Sequence, residues 1–187
     1  MDLVDLRLSG LKLIKPRSFE DERGFFLESY RQPLYAKAGI PDFVQDNLSF
    51  SKKNVIRALH FQQGAGQVPG QAKLVQVLRG KIFDVAVDLR PSSLTFGQWE
   101  AVALDDLLRW QLFIPAGFAH GFCVLSEDAL VQYKVSSLYD PNTERSIRWN
   151  DPDLNIAWPT KLPILSKRDQ NSPFLREILC DDSIIFS

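Results

Sequence analysis

Short runs of β-branched and aromatic residues, separated by turns roughly every eight to twelve residues, fill the middle of the chain and constrain its fold more than any other feature. This spacing is typical of sandwiches and barrels made of antiparallel strands. The predicted strands are residues 43–49, 55–62, 73–79, 81–89, 96–104, 111–115, 117–125 and 129–138. We therefore expect an all-β fold in which a barrel of roughly residues 43–139 can hold a small molecule.

The sequence also predicts secondary structure before the barrel. Within residues 11–30, two extended segments flank the polar turn 20–24 and are predicted to pair. A short helix is expected over residues 32–38, because Gly39 and then Pro41 end the helical pattern. No second-domain boundary or internal repeat is visible, so we treat the 187 residues as a single domain with extended arms.

Turn residues divide the rest of the chain. The turn at residues 52–54 predicts a hairpin between the first barrel strand and the strand that holds His60. Residues 63–71 contain three glycines and one proline, which is typical of a loop at the rim of a barrel. Residues 140–187 are rich in proline and predict a mostly irregular C-terminal wrap, with a last short helix near residues 173–179.

Composition and charge narrow the class of protein. The chain is 45% hydrophobic with a net charge of −1, which favours a globular domain with no broad attraction to nucleic acid or membranes. Cys123 lies in an apolar run and Cys180 near the polar tail, so neither a disulfide framework nor a zinc-ligand pair is indicated. The N-terminus lacks a basic region followed by an apolar one, and no apolar run approaches the roughly 20 residues of a membrane span. We therefore predict a cytoplasmic protein.

Four polar side chains are the candidates for chemistry inside the barrel. By strand alternation His60, Lys73 and Tyr133 each share a face with apolar residues, so each is expected to project into the cavity. An imidazole can accept or donate a proton near pH 7, and a desolvated ammonium requires an anion or a developing negative charge opposite it. Asp169 could orient His60 if the C-terminal wrap returns to the barrel. Structural roles stay open: a core histidine, a strand-end lysine that reaches solvent and a surface aspartate.

Other common catalytic devices are not indicated. His60 and His120 lie sixty positions apart, and no histidine pair has the spacing of metal ligands on one strand or helix. There is no Gly-x-Ser-x-Gly turn, P-loop or dinucleotide fingerprint, and Cys123 is interpreted as a small core residue. The residues alone therefore predict neither a metal nor a covalent nucleophile.

Seven blocks of sequence, in a fixed order between about residues 20 and 173, carry a resemblance to a known family. The blocks are 21–28 (DERGFFLE), 43–47 (FVQDN), 57–62 (RALHFQ), 81–90 (KIFDVAVDLR), 114–122 (IPAGFAHGF), 148–154 (RWNDPDL) and 164–169 (ILSKRD). Together they closely resemble the dTDP-4-dehydrorhamnose 3,5-epimerase family of cupin-type isomerases. The resemblance implies a cupin-like jelly-roll barrel with short flanking helices, no metal or cofactor, and a homodimer that exchanges an N-terminal strand.

The resemblance also implies a reaction. The family's substrate is dTDP-4-dehydro-6-deoxy-D-glucose, whose C4 ketone acidifies the protons on carbons 3 and 5, so that both centres can invert through enolates to dTDP-4-dehydro-L-rhamnose. By resemblance His60, oriented by Asp169, is the base, and Tyr133 is the acid on the opposite side of the sugar. Lys73 matches a lysine near the ketone oxygen, where an ammonium stabilises the enolate more than the neutral ketone.

Eight further residues are assigned to substrate binding by the same resemblance. They are Arg23, Phe26, Glu28, Gln45, Asn47, Arg57, His120 and Tyr139. The two arginines match ligands of the diphosphate, for which a planar guanidinium is suited. Phe26 and Glu28 match thymidine-binding groups supplied across the dimer interface, and Tyr139 matches an aromatic near the base. His120 matches a second histidine of the cavity, with a binding or supporting role.

Two departures from the family pattern affect the expected site. The family usually has glycine where Ala58 stands, and its linker before the lysine is typically shorter than residues 63–72 here. Strict alternation places Ile56 and Ala58 on the face of His60 and Arg57 on the opposite face. The presence of both Arg57 and His60 in one cavity therefore requires a bulge or an arginine that curls over the rim.

These departures leave alternatives open. The chain could invert only carbon 3 or only carbon 5, or it could act as a ketoisomerase on the same substrate. Outside enzymes, it could be a cupin that binds a nucleotide sugar without turnover, or an interaction module. His60 and Tyr133 are both present, which favours the enzymatic hypotheses.

Overall fold

The computed structural model describes residues 1–64 and 70–180, and this part of the chain forms thirteen strands and three short helices. The strands are Asp2–Asp5 (β1), Lys12–Lys15 (β2), Ser18–Asp21 (β3), Gly24–Leu27 (β4), Gln45–Lys52 (β5), Ile56–Gln62 (β6), Lys73–Arg79 (β7), Lys81–Asp88 (β8), Trp99–Asp105 (β9), Gln111–Ile114 (β10), Phe118–Val124 (β11), Asp128–Val135 (β12) and Glu144–Ser146 (β13). The helices are Gln32–Lys37 (α1), Lys167–Asn171 (α2) and Leu175–Leu179 (α3). The predicted all-β class is confirmed.

Two antiparallel sheets form the barrel. The six-stranded sheet has the order β1-β2-β10-β7-β12-β5, and the five-stranded sheet has the order β13-β6-β11-β8-β9. Strands adjacent in a sheet are mostly distant in sequence, as in β12 with β5 and β11 with β8. This is the cupin-like jelly roll that was expected. The open edge of the six-stranded sheet beyond β12 is β5.

The central strands alternate between two apolar faces. Val75 and Val77 of β7 and Ile82 and Ala86 of β8 belong to one apolar cluster, although β7 and β8 lie in different sheets. This cluster therefore fills the space between the sheets. The other face of β8, which includes Val85, packs in a second cluster together with the C-terminal wrap. Period-two patterning thus separates the inside of the barrel from its covered outer face.

The predicted hairpin through residues 52–54 is wrong. β5 pairs with β12, whereas β6 pairs with β11 and β13, so this turn passes the chain from one sheet to the other. The turn at Gly80 does the same between β7 and β8, and Gly80 has a positive φ of 84°. A turn sequence fixes the reversal of the chain, but strand partners are chosen by packing over long sequence separations.

The N-terminal elements agree in part with their predictions, because the first extended segment divides into β2, which joins the six-stranded sheet, and β3. β3 and β4 pair as an isolated two-stranded sheet across the predicted polar turn, and α1 ends before Gly39, which has a φ of 75°. β1 was not predicted, and it pairs with β2 at the edge of the six-stranded sheet. In the predicted rim loop, residues 65–69 lie outside the described residues.

The C-terminal wrap covers the outer face of the five-stranded sheet. Ile147, Leu154, Leu175 and Ile178 pack with that sheet in the second apolar cluster. The last helix was predicted from the proline at its start, whereas β13 and α2, with three and five residues, were not predicted. This wrap is what brings the segment around residue 169 back to the barrel.

Candidate active site

A cavity of about 370 Å³ opens at one end of the barrel, between the two sheets. Polar and aromatic side chains from both sheets line it: Gln45, Asn47, Ser49, Arg57, His60, Phe61, Gln62, Gln71, Lys73, His120, Phe122, Tyr133, Tyr139 and Glu144. The cavity therefore contains eight of the twelve predicted site residues, and a ninth, Asp169, contacts one of them from behind.

His60 and Asp169 form a hydrogen-bonded pair. The Nε2 atom of His60 lies 2.7 Å from Oδ1 of Asp169. Asp169 is only 3% exposed. Ser166 caps α2 by accepting a hydrogen bond from the Asp169 backbone nitrogen, which fixes the start of this helix. A carboxylate only accepts hydrogen bonds, so Nε2 carries the hydrogen and the lone pair of neutral His60 lies on Nδ1. The pair is therefore built to present a proton acceptor.

A bulge in β6 brings Arg57 and His60 to the same cavity. His120 of β11 pairs with His60, and Phe122 pairs with Arg57, so two steps along β11 match three along β6. Of the two explanations that alternation left open, the bulge is the one the structure contains. The side chain of Arg57 donates from Nε to Oγ of Ser51, 3.0 Å away, and stays at the mouth of the cavity.

The predicted face of Ile56 and Ala58 is wrong as a result of this bulge. Both residues belong to the outer apolar cluster beneath the wrap, and so does Leu59, which follows Ala58 directly. Ala58 fits because Gly121 lies opposite it: a Cβ built on Gly121 would approach the Ala58 Cβ to 2.4 Å. The positive-φ residues other than glycine in the described chain are Asn54, Arg109 and Asn155, so Ala58 does not adopt the backbone conformation that favours glycine.

Lys73 is buried in the cavity wall, so the alternative of a strand-end lysine reaching solvent is wrong. It is 7% exposed, and its Nζ donates a hydrogen bond to the backbone oxygen of His60, 3.1 Å away. Burial lowers the pKa of Lys73 to about 8, while the carboxylates of Glu144 and Asp84 oppose that shift. The ammonium therefore stays the main form at neutral pH, although little water surrounds it.

Tyr133 faces the cavity from the other sheet. It lies on β12 of the six-stranded sheet, whereas His60 lies on β6 of the five-stranded sheet. Burial raises the pKa of Tyr133, with the nearby guanidinium of Arg57 acting in the opposite direction. The phenol is therefore protonated at neutral pH and can donate a proton.

A second histidine–aspartate pair joins the cavity wall to the interior behind it. His120 Nε2 is 2.7 Å from Asp84 Oδ1, and Asp84 is fully buried. Its Oδ2 atom has no hydrogen-bond partner among the described residues. Burial lowers the pKa of His120, and Asp84 opposes that shift. Asp84 was missed as a site residue, although an aspartate between Ile82 and Ala86 on an inward face was the available signal.

The mouth of the cavity is held by a network around Glu144, which the sequence did not single out. Gln45 donates to Asn47 across 2.8 Å and accepts from the Tyr139 backbone nitrogen across 3.0 Å. The Tyr139 hydroxyl donates to Glu144, which also accepts from Arg168. This chain of contacts joins the edge strand β5 to the segment that carries Asp169.

Three predicted residues lie outside the cavity of their own chain. Arg23 and Phe26 are exposed on the hairpin formed by β3 and β4, where Arg23 pairs with Asp21. Glu28 is also exposed and lies 3.6 Å from Arg31. A single chain therefore does not bring this group to the site.

No group of three histidine, cysteine, aspartate or glutamate side chains is placed to hold a metal ion in the part of the chain that the structure describes. Within the same residues, no helix is long and apolar enough to cross a membrane.

Comparison with known proteins agrees with this architecture. The family model described as dTDP-4-dehydrorhamnose 3,5-epimerase matches residues 5–177. A dTDP-4-dehydrorhamnose 3,5-epimerase of Methanothermobacter thermautotrophicus is 47% identical over 178 residues, which are 93% of this chain and 94% of that protein. A dTDP-4-dehydrorhamnose 3-epimerase of Streptomyces niveus is 44% identical over 179 residues, which are 95% of this chain and 85% of that protein.

A solved structure is similar over nearly the whole length. It is the dTDP-6-deoxy-D-glucose-3,5-epimerase of Legionella pneumophila in complex with dTDP-4-keto-L-rhamnose, with a TM-score of 0.90, 45% identity and coverage of 97% of this chain and 95% of that one. Fold and cavity together define a cupin-type barrel with acid–base groups on both of its walls. The chain belongs to the dTDP-4-dehydrorhamnose 3,5-epimerase family, as its sequence blocks indicated.

Proposed function

We propose that this chain inverts carbons 3 and 5 of dTDP-4-dehydro-6-deoxy-D-glucose to give dTDP-4-dehydro-L-rhamnose. The observation that carries the proposal is the placement of His60 and Tyr133 on different sheets that face one cavity. Inversion requires a proton to leave one side of a carbon and another to arrive from the opposite side. A base and an acid on opposing walls meet that requirement.

Each catalytic residue has a separate role in the proposed reaction. His60 takes the proton from the carbon next to the ketone, and its imidazolium is stabilised by Asp169. The electron pair of the broken C–H bond moves to the C4 oxygen, where the Lys73 ammonium stabilises the enolate. Tyr133 then donates its phenolic proton to the opposite side of the same carbon. His60 then gives its proton to water and the Tyr133 phenolate takes one from water, so both groups return to their starting states. The same sequence at the second carbon completes the double inversion.

We infer that the nucleotide part of the site is shared between two chains of a homodimer. The cavity wall formed by Gln45 and Asn47 lies on β5, an edge strand whose outer side pairs with no other strand of the described residues. The outward residues of that strand include Leu48 and Phe50, which are at least 50% exposed. An unpaired edge with exposed apolar side chains is a site at which another chain can pair. Exchange of an N-terminal segment would supply this partner strand.

The exchanged segment would bring the hairpin of one chain to the cavity of the other. Arg23 would then join Arg57 at the diphosphate, and Phe26 and Glu28 would reach the thymidine near Tyr139. This arrangement gives a role to residues that a single chain leaves exposed. The location is inferred to be cytoplasmic because both cysteines are free thiols, as a reducing compartment keeps them. Independence of a metal or cofactor stays a prediction.

Incubation with the 4-keto substrate in deuterated water tests the reaction. Deuterium at carbons 3 and 5 of the product supports double inversion, and deuterium at one carbon identifies a mono-epimerase. Absence of both deuterium and product would refute the enzymatic proposal and leave a nucleotide-sugar-binding protein. A 3-keto product, distinguished by NMR, would identify a ketoisomerase. Because the chain is similar to the 3-epimerase of Streptomyces niveus, inversion of carbon 3 alone is the second candidate function.

Substitution of Tyr133 tests the division of roles. In Tyr133→Phe we expect wash-in of deuterium to continue while inversion is impaired, because abstraction by His60 survives and return from the opposite side does not. His60→Asn is the matched variant and should abolish both. Equal loss of exchange and inversion in Tyr133→Phe would contradict these separate roles.

Mixed dimers test the sharing of the site. In a dimer of one Arg23→Ala chain and one His60→Asn chain, exchange across the interface leaves one cavity with both residues intact. We expect such co-purified heterodimers to recover turnover that neither homodimer shows at low substrate concentration. Heterodimers as inactive as the parents would place both residues in one chain and refute the sharing.

A further inference from the structure

Arg109 is the side chain through which the hairpin of β3 and β4 is attached to the barrel. The hairpin forms its own two-stranded sheet and pairs with no barrel strand. Among the described residues, the hydrogen bonds and ring contacts that join residues 18–27 to the barrel all end on Arg109. Arg109 therefore supplies the polar and ring contacts that hold the hairpin against the barrel.

The contacts of Arg109 reach both strands of the hairpin. Its Nη1 donates to Oγ of Ser18, 3.1 Å away, and to Oε1 of Glu20, 3.0 Å away, both on β3. The guanidinium also stacks on the ring of Phe25 of β4, with 3.6 Å between its carbon and the ring centroid. A planar cation that bonds one strand and stacks on the other restricts rotation of the hairpin about its base.

Arg109 itself is held by a rigid turn. Oδ1 of Asp105 accepts hydrogen bonds from the backbone nitrogens of Leu107 and Leu108, and the Arg109 nitrogen donates to the Asp105 backbone oxygen. Arg109 has a positive φ of 56°, an uncommon conformation for a residue other than glycine. Its side chain is only 18% exposed, in contrast to 86% for Arg23. Arg109 is thus held in place by its surroundings, whereas the Arg23 side chain is largely exposed and pairs with Asp21 of the same hairpin.

The register of the hairpin determines which face Arg109 leaves open. Glu20 pairs with Phe25, and Phe19 pairs with Phe26, so these two pairs lie on opposite faces. Arg109 holds the face of Glu20 and Phe25. Phe19 and Phe26 therefore point away from the anchor, and they are 51% and 67% exposed. This is the face that can meet another chain.

We propose that Arg109 is a positioning residue for nucleotide binding, which sets the direction in which the hairpin delivers Arg23 and Phe26 to the cavity of the partner chain. This inference rests on the proposed sharing of the site across the dimer. Arg109 touches no substrate in this scheme. Its loss would change the affinity for the dTDP part of the substrate and leave the acid–base groups of the same chain intact.

The test compares dTDP binding and turnover in Arg109→Ala, Arg23→Ala and the double variant. We expect each single variant to bind dTDP about ten-fold more weakly or worse, with kcat changed by less than about two-fold. Addition of Arg109→Ala to Arg23→Ala should reduce the affinity for dTDP little further, because the Arg23 contact that Arg109 positions is already absent. Arg109→Lys, which keeps the charge but not the planar fork, should fall between wild type and Arg109→Ala.

Controls separate this role from general stability. Arg79→Ala removes an arginine at the end of β7 that pairs with Asp128, and it should leave dTDP affinity unchanged. Thermal melting and light scattering establish that each variant is folded and dimeric.

If Arg23→Ala weakens dTDP binding and Arg109→Ala does not, the anchor role is refuted and the shared site stands. If Arg23→Ala has no effect, the shared nucleotide site fails, and the anchor role fails with it. The anchor role would also be refuted if Arg109→Ala reduced the affinity for dTDP by the same factor in the wild type and in Arg23→Ala.

Discussion

Replacement of Lys73 by methionine should make the protein more stable and, at the same time, inactive. Lys73 is 7% exposed, and the group that it contacts directly is the backbone oxygen of His60. Burial of an ammonium with so little compensation is unfavourable, whereas a methionine of similar length fills the same space without a charge. The proposed reaction keeps the lysine because its ammonium stabilises the enolate oxygen.

The magnitude follows from the pKa. Burial lowers the pKa of Lys73 from 10.5 to about 8. One pKa unit is equivalent to about 1.4 kcal/mol, so the charged side chain destabilises the folded state by about 3 kcal/mol at neutral pH. Below pH 8 the lysine is protonated in both the folded and the unfolded chain, and this destabilisation is complete. Between pH 8 and 10.5 the folded chain has lost the proton while the unfolded chain still binds it, so the destabilisation declines as the pH rises.

Urea unfolding of the wild type and Lys73→Met at pH 7 and pH 10 measures both effects. We expect the variant to be more stable by up to about 3 kcal/mol at pH 7, and by less than about 1 kcal/mol at pH 10. Lys53→Met, which removes an exposed lysine paired with Glu127, should change stability by no more than about 0.5 kcal/mol at either pH. A Lys73→Met protein less stable than wild type at pH 7, or a difference independent of pH, would refute the reasoning.

Three further predictions concern the surroundings of the cavity. Asp169→Asn removes the charge that stabilises protonated His60, so single-turnover deuterium exchange should slow by about 100-fold or more. Gly121→Ala should lower the free energy of unfolding in urea by about 1–3 kcal/mol because its Cβ meets Ala58, and the added Ala58→Gly should recover part of that loss. Asp84→Asn removes a carboxylate that favours the charged form of Lys73, so the alkaline fall in kcat/KM, expected near the pKa of about 8, should move to lower pH. An unchanged pH profile in Asp84→Asn would contradict that link.

Local patterns predicted the strands better than their pairing. Alternation of apolar residues placed Lys73 inside the barrel, because each strand has one face toward the space between the sheets. The hairpin between β5 and β6 was wrong because each strand pairs with a strand more than fifty residues away. Such partners depend on packing of the whole barrel, which no local run of residues records.

Strand alternation predicted that His60, Lys73 and Tyr133 face the cavity, whereas their roles and the substrate-binding residues came from the family resemblance. Alternation alone placed Ala58 and His60 on one face, and the bulge that separates them has no signal in the residues themselves. Resemblance assigned Asp169 to His60, and the structure places the two within hydrogen-bond distance. Asp84 and Glu144 were missed because their roles depend on contacts with His120 and Arg168, which lie 36 and 24 residues further along the chain.

The two parts of the proposed reaction should respond to different sets of residues. His60, Tyr133 and Lys73 line one cavity of one chain, so abstraction, return and charge stabilisation need no second chain. Arg23, by contrast, is exposed on the hairpin that Arg109 attaches to the barrel. Substitutions in the first set should therefore lower kcat with little change in dTDP affinity, and substitutions on the hairpin should weaken affinity with little change in kcat. Dissociation of the dimer should have the same effect as substitutions on the hairpin. It removes the hairpin from the cavity while every acid–base contact remains in place.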